Sequence, residues 1–266
     1  MAGGRVDTTV FPVTNITSRV GYDNQPEFSS DGQALIYVSD RSGYSVDIWR
    51  HLFKRGQRVK LSYSDDVNEY SPSPRSPNGY WAILEEPGGV LRLWHLLGDA
   101  LSGNPVLPDV KNVGYYAWSD ETHVALFVVG PETTLQFADI ESGSRRIVAR
   151  SIGRSIHTIP GTNQISFVHK ETEGKWTIKR FNPDTDKISE IAPVLGDGED
   201  FAWTADGSLM MAGGKSVFRW DGGSHAWVPF ADFSGSGLEN ISRLAFSPTS
   251  DKMAFVASTV EPAGTD

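Results

Sequence analysis

The sequence predicts an all-β propeller, and three observations predict it. A turn phrase recurs six times: Phe28-Ser-Ser-Asp31-Gly32, Arg75-Ser-Pro-Asn78-Gly79, Trp118-Ser-Asp120, Ile159-Pro-Gly161-Thr-Asn163, Trp203-Thr-Ala-Asp206-Gly207 and Phe246-Ser-Pro248-Thr-Ser-Asp251. The steps between starts are 47, 43, 41, 44 and 43 residues. Each phrase leads into an apolar run of strand length, and helical periodicity is absent throughout. A period in the forties made of short strands means one four-stranded blade per repeat. The expectation is a six-bladed β-propeller of four-stranded antiparallel blades, forming one domain over residues 1–266.

Within each repeat the second strand is the most apolar, as in Leu35–Val38, Val124–Val129, Ile165–Val168 and Met253–Val256. Continuous apolar runs suit strands covered on both faces, which stacked blades provide. Third strands alternate more loosely: Val46–Trp49, Leu91–Trp94, Thr134–Phe137, Trp176–Lys179 and Val217–Trp220. Their tryptophans, Trp49, Trp94 and Trp220, are expected between blades. Fourth strands, such as Arg58–Leu61, Arg145–Val148 and Lys187–Ile191, carry the charge that protects an outer edge from foreign pairing. The sixth repeat supplies two strands before its tail. Thr9-Val-Phe-Pro-Val13 and Asn15-Ile-Thr17 have no blade of their own, so the N-terminal segment is expected to pair with the last blade and close the ring.

The run Gly21–Gly32, followed by Leu35–Arg41 and Val46–Trp49, resembles the PD40 (WD40-like) repeat of the TolB-like propeller family. Weaker copies stand at Glu69–Gly79, Trp203–Gly207 and Phe246–Asp251, while Trp118-Ser-Asp120 lacks the glycine and Ile159-Pro-Gly161 keeps only the turn. Nothing corresponds to the additional N-terminal domain of TolB itself. The resemblance implies a stand-alone propeller, usually periplasmic or secreted, and the motif is a structural signature that carries no function with it.

Composition narrows the function classes. Twenty-four basic against thirty-three acidic residues give a formal charge of −9, with no basic stripe to displace counterions, so nucleic acid is not an expected partner. No stretch approaches the roughly 20 apolar residues of a membrane span, and Met1–Arg5 lacks the features of a signal peptide. The absence of cysteine removes disulfides, thiolate metal sites and cysteine nucleophiles. Gly213-Gly-Lys-Ser216 ends like a phosphate loop, but Leu209 occupies the first glycine's place and the segment joins two strands. There is no G-x-S-x-G elbow.

In a propeller, the segments before each first strand converge on the channel mouth, the default binding site. Tyr70, Tyr115, Tyr116, Arg154, His157, Asp200 and Arg243 are the candidate ligand-binding residues there. The leading expectation is a small ligand, peptide or protein partner bound at the channel by a monomer. The alternative is a hydrolase of esters, lactones or phosphotriesters. His157 with Glu69 or Asp200 would then activate water as base and carboxylate, or a calcium-like cation would do so. Asn24, Asn68, Glu69, Asp200 and Asn240 offer the oxygen ligands such a cation takes. Against each functional role stands a local one: a packed histidine with satisfied nitrogens, or Asp and Asn in turns.

Overall fold

The computed structural model describes residues 12–62, 67–74, 79–98, 102–172 and 174–259. The aspartate of the turn phrase is what makes the repeat fold alike. Asp31 Oδ1 accepts from the Ser29 hydroxyl at 2.6 Å and the Gln33 N–H at 2.9 Å. Asp206 does the same with Thr204 and Ser208, at 2.5 and 3.1 Å. Asp251 accepts from the hydroxyls of Ser247 and Thr249, at 2.8 and 2.5 Å. Gly32 and Gly207 follow with φ of +66° and +81°, the left-handed conformation that glycine adopts without a Cβ clash. The second phrase, from Arg75 to Asn78, lies outside the described residues.

These reversals join the first and second strands of antiparallel sheets laid down in chain order. The first sheet holds β1 (Asp23–Phe28), β2 (Ala34–Ser39), β3 (Asp47–Leu52) and β4 (Gln57–Lys60). The second holds β5 (Asn68–Ser73), β6 (Gly79–Glu86), β7 (Val90–Leu97) and β8 (Gly103–Pro105). The third holds β9 (Val113–Trp118), β10 (His123–Val128), β11 (Thr134–Asp139) and β12 (Arg145–Arg150). The fourth holds β13 (Ile152–Thr158), β14 (Ile165–Thr172), β15 (Lys175–Asn182) and β16 (Lys187–Pro193). The fifth holds β17 (Phe201–Trp203), β18 (Leu209–Gly213), β19 (Ser216–Asp221) and β20 (Ala226–Asp232). A last pair, β21 (Leu238–Phe246) and β22 (Met253–Thr259), forms a two-stranded sheet.

The propeller of four-stranded antiparallel blades is therefore present, but the count is corrected. Five sheets have four strands, not six, and the sixth has two. First strands touch in succession, β1 with β5, β5 with β9, β9 with β13, β13 with β17 and β17 with β21, and β21 touches β1. Every residue of β2 is buried, while β4, β12 and β16 are mostly exposed or half-buried, as two-faced inner and charged outer strands should be. Core clusters lie between successive sheets, for example Phe201, Leu209 and Met211 with Val168 and Ile178. Among the described residues no helix is long and apolar enough to cross a membrane.

The N-terminal closure is not seen among the described residues. Thr9 to Phe11 lie outside them, and residues 12–22 contain no strand. The physical reason is local. Asn15 Oδ1 accepts from the Thr17 and Ser18 N–H groups at 3.1 and 2.9 Å, a turn that competes with an extended ladder. Pro12 has no N–H to donate. Arg41 and Arg58 donate to the Thr17 carbonyl at 3.4 and 3.1 Å, and Arg19 pairs with Asp23 at 3.1 Å, so the segment is tied to the first sheet. Ile16 packs on Phe28, Leu35 and Ala245, where the first and last sheets meet.

Replacing Ile16 by aspartate should therefore loosen the seam. A half-buried apolar contact is lost and a charge takes its place, costing on the order of 1–2 kcal/mol. Thermal melts should show a melting temperature lower by about 2–8 °C. An unchanged melt would mean that the segment does not stabilise the seam.

Candidate functional site

Alternate residues of a strand face the same way, so each first strand presents residues to the axis at two successive levels. At one level stand Gln25, Ser71, Tyr115, Arg154, Asp200 and Arg243; at the next stand Glu27, Ser73, Ala117, Thr158, Ala202 and Ala245. All twelve line one axial cavity of about 510 Å³. Three residues of the first level, Gln25, Ser71 and Arg243, have left-handed φ of 51°, 49° and 53°. Each lies where its strand's register slips against the second strand, between Asn24 and Glu27, Tyr70 and Ser73, and Ser242 and Ala245. Such bulges re-aim side chains and cost roughly 1–2 kcal/mol per non-glycine residue. Their recurrence at one level marks that level as specially built.

The first level is a hydrogen-bonded belt. Arg154 grips Asp200 with two bonds, Nη2 to Oδ2 at 2.7 Å and Nε to Oδ1 at 3.3 Å. Arg243 Nε stands 3.7 Å from the same carboxylate. Arg243 Nη2 donates to the Tyr115 hydroxyl at 2.8 Å, and its guanidinium lies 5.0 Å from that ring's centroid. The belt thus runs from β13 through Asp200 to β21 and on to β9. On the other side, the Ser71 N–H donates to Gln25 Oε1 at 2.6 Å and the Tyr116 hydroxyl donates to the Ser71 carbonyl at 2.9 Å. Gly153, just before Arg154, lets Glu199 in to accept from the Arg154 N–H at 2.8 Å. A Cβ on Gly153 would meet Glu199 Oε2 at 2.8 Å and Val168 Cβ at 2.9 Å.

Two titratable groups share this channel and respond oppositely to enclosure. His157 has Nε2 2.9 Å from Ser155 Oγ, meets the Phe201 ring edge-on at 4.8 Å, and bonds to the Phe201 backbone. Burial pulls the imidazole down to about 4, and the nearby Asp200 charge offsets this only in part. Glu27 projects into the lumen, where solvent reaches it although the inner strands surround it. That enclosure lifts its carboxyl to about 7.

No protein-family model matches the sequence, and no curated protein matches it significantly. Solved structures do resemble it. A TolB candidate from Agrobacterium tumefaciens superposes with a TM-score of 0.66 at 15% identity, over 90% of this chain and 91% of the other. An oligogalacturonate lyase in complex with manganese gives 0.55 at 12% identity, over 87% and 84%. A puromycin hydrolase gives 0.59 at 14%, over 92% of this chain and 51% of that enzyme. The likeness is one of fold.

The remaining predicted residues lie away from the axis. Glu69 is buried close to Tyr80 and is absent from the channel wall, so it does not join His157. The Tyr70 hydroxyl lies 3.5 Å from Glu85 Oε2, and burial pushes it up to about 12. Asn68 donates to Glu85 at 2.9 Å and accepts from the Val46 N–H at 2.8 Å. Asn24 accepts from the Gln25 N–H at 2.8 Å, and Asn240 donates to Ser258 Oγ at 3.1 Å. The five predicted cation ligands are thus not gathered, and the residues do not fit a calcium ion. Among the described residues no three His, Asp or Glu side chains come together as a metal would require. Sequence reasoning did not single out Gln25, Glu27, Ser71 or Ser155 as site residues. Aligning the residue before each turn phrase sets Glu27 against Pro74, Ala117, Thr158, Ala202 and Ala245, one charge among uncharged residues.

The pH dependence of stability follows with its sign. His157 titrates near 6.5 unfolded and near 4 folded, so its contribution to stability grows as pH rises from about 4 to 6.5. Glu27 holds its proton to about 7 against 4.5 unfolded, so its contribution is full below 4.5 and is lost as pH rises through 7. Glu27→Gln should therefore raise the melting temperature relative to wild type more at pH 8 than at pH 5. Equal shifts at both would show that this carboxylate is freely hydrated.

Proposed function

We propose that the chain is a TolB-like binding module that acts as a monomer. It holds a small molecule, a peptide or a segment of a protein partner in its axial channel, and its address is periplasmic or secreted. The observation that carries this reading is the belt of Arg154, Asp200, Arg243 and Tyr115 at one level of a cavity of about 510 Å³. That volume lies within the roughly 300–1,000 Å³ of small-molecule sites. Arg154 is 43% exposed at the side chain and keeps donors free for an incoming acceptor. Held on strands and tied to one another, these groups need little reordering when a ligand arrives.

The second reading is a hydrolase of esters, lactones or phosphotriesters, with His157 on the channel wall as its base. Here the geometry weighs against it. A base is most effective with a pKa near the working pH, whereas His157 sits near 4. Its ring is engaged by Ser155 and the Phe201 backbone, which is the arrangement of a packed histidine.

Chemical-shift mapping with a fragment library should perturb Tyr115, Arg154 and Arg243 first, and Arg243→Ala should weaken the hits about tenfold or more. Hits that cluster elsewhere would defeat the channel reading. An esterase, lactonase and phosphotriesterase screen should show no turnover above background. Turnover abolished by His157→Ala, with an unchanged melt, would instead establish the hydrolase.

A further inference from the structure

The channel has a second level, and its chemistry differs from the belt's. Of its six residues Glu27 alone carries charge; the others are Ser73, Ala117, Thr158, Ala202 and Ala245. Among the described residues no hydrogen bond or ion pair engages the Glu27 carboxyl. The bulge at Gln25 sets its register. Glu27 is open to the lumen, and among the described residues the protein brings no counter-charge to contact distance, so an incoming cation would meet the carboxylate unopposed. The small, mostly apolar side chains around it leave space for an aliphatic chain beside the carboxylate.

Resting on the reading of the channel as a ligand site, we infer that this second level receives a primary ammonium group on a slim aliphatic chain, with Glu27 as its counter-charge. The ammonium donates to the carboxylate, and the alkyl chain lies against Ala117, Ala202 and Ala245. The two arginines of the belt exclude a cation from the first level, so the ammonium passes to the second, where the charge is negative. A ligand with an acceptor at one end and an amine at the other would satisfy both levels together.

The surroundings make Glu27 the group that would report this binding. The titratable and charged side chains on the same wall are Tyr115, Tyr116, Arg154, His157, Asp200 and Arg243. The strands packed on β1, namely β2, β5, β21 and β22, bring only Arg243 among these. Burial, then the Glu27 charge, holds Tyr116 neutral by raising its hydroxyl. His157 stays neutral down to about 4, and Asp200 is held by two arginines. Glu27, near 7, is left to change charge between pH 5.5 and 8.

The test is titration of n-butylammonium, n-butanol and butyrate into wild type and Glu27→Gln, at pH 5.5 and 8, followed by amide shifts and calorimetry. Butylammonium is charged at both pH values. It should bind wild type at pH 8 and perturb Glu27, Ala202 and Ala245. Binding should be about tenfold weaker or more at pH 5.5 and in Glu27→Gln, while butanol responds to neither change. Butylammonium binding that ignores both pH and the substitution would overturn the inference. Butyrate binding alone, at Arg154 and Arg243, would also overturn it and leave the channel reading standing. If no probe shifts any channel residue, both readings fall.

Discussion

Asp200 pairs with two guanidinium groups, and the mouth of the channel depends on that one carboxylate. Arg154 belongs to β13 and Arg243 to β21, so the ion pairs join sheets on either side of the fifth. A pair of unit charges about 4 Å apart interacts by roughly 4 kcal/mol near a protein surface, against roughly 1 in bulk water. Arg154 is 43% exposed, and solvent screens its share. Arg243 is only 16% exposed, and its other donor and its face are taken by Tyr115 on the opposite wall. Removing Asp200 would leave two cations facing each other without a counter-ion. The strained backbone at Arg243 is tolerable because this side chain is fixed at both ends.

Much of the architecture was legible in the sequence because it rests on local chemistry repeated. Asp31, Asp206 and Asp251 each bind the hydroxyls or N–H groups of their own turn, so a reader of the chain meets the same residues at the same offsets. Apolar second strands also announced themselves, since two covered faces demand it. The sixth sheet was less legible. Its two strands were foreseen, but the closing partner was assigned to a segment whose Asn15 turn and arginine tethers bind it to the first sheet. Competition between a local turn and a distant ladder is decided by contacts that the pattern of hydrophobicity does not record.

The site shows the same division. Asp200, Arg154, Arg243 and Tyr115 could be placed at the axis from the repeat alone, because blade geometry brings every first strand there. Glu69 and Tyr70 sit in an equivalent stretch of β5, yet their side chains turn into the space between sheets or toward Glu85. The difference lies in the bulge at Ser71, which shifts the register by one residue and so exchanges the two faces of the strand. A left-handed serine carries no sequence signal comparable to glycine, so the exchange was hidden. Gln25 and Glu27 reached the channel by the same device in β1.

Burial also explains why the channel's chemistry is divided by level. The same enclosure holds an imidazole neutral to about 4 and keeps a carboxyl half-protonated near 7. In both cases the low-dielectric wall disfavours the charged form, and the shifts differ in sign only because one acid is cationic and the other neutral. Charge persists in this lumen where it is paired, as in the belt, and becomes conditional where it is not. A charged ligand at the unpaired level would therefore change the protonation of the wall it touched. Affinity and pH would then be linked through one residue, without any movement of the sheets.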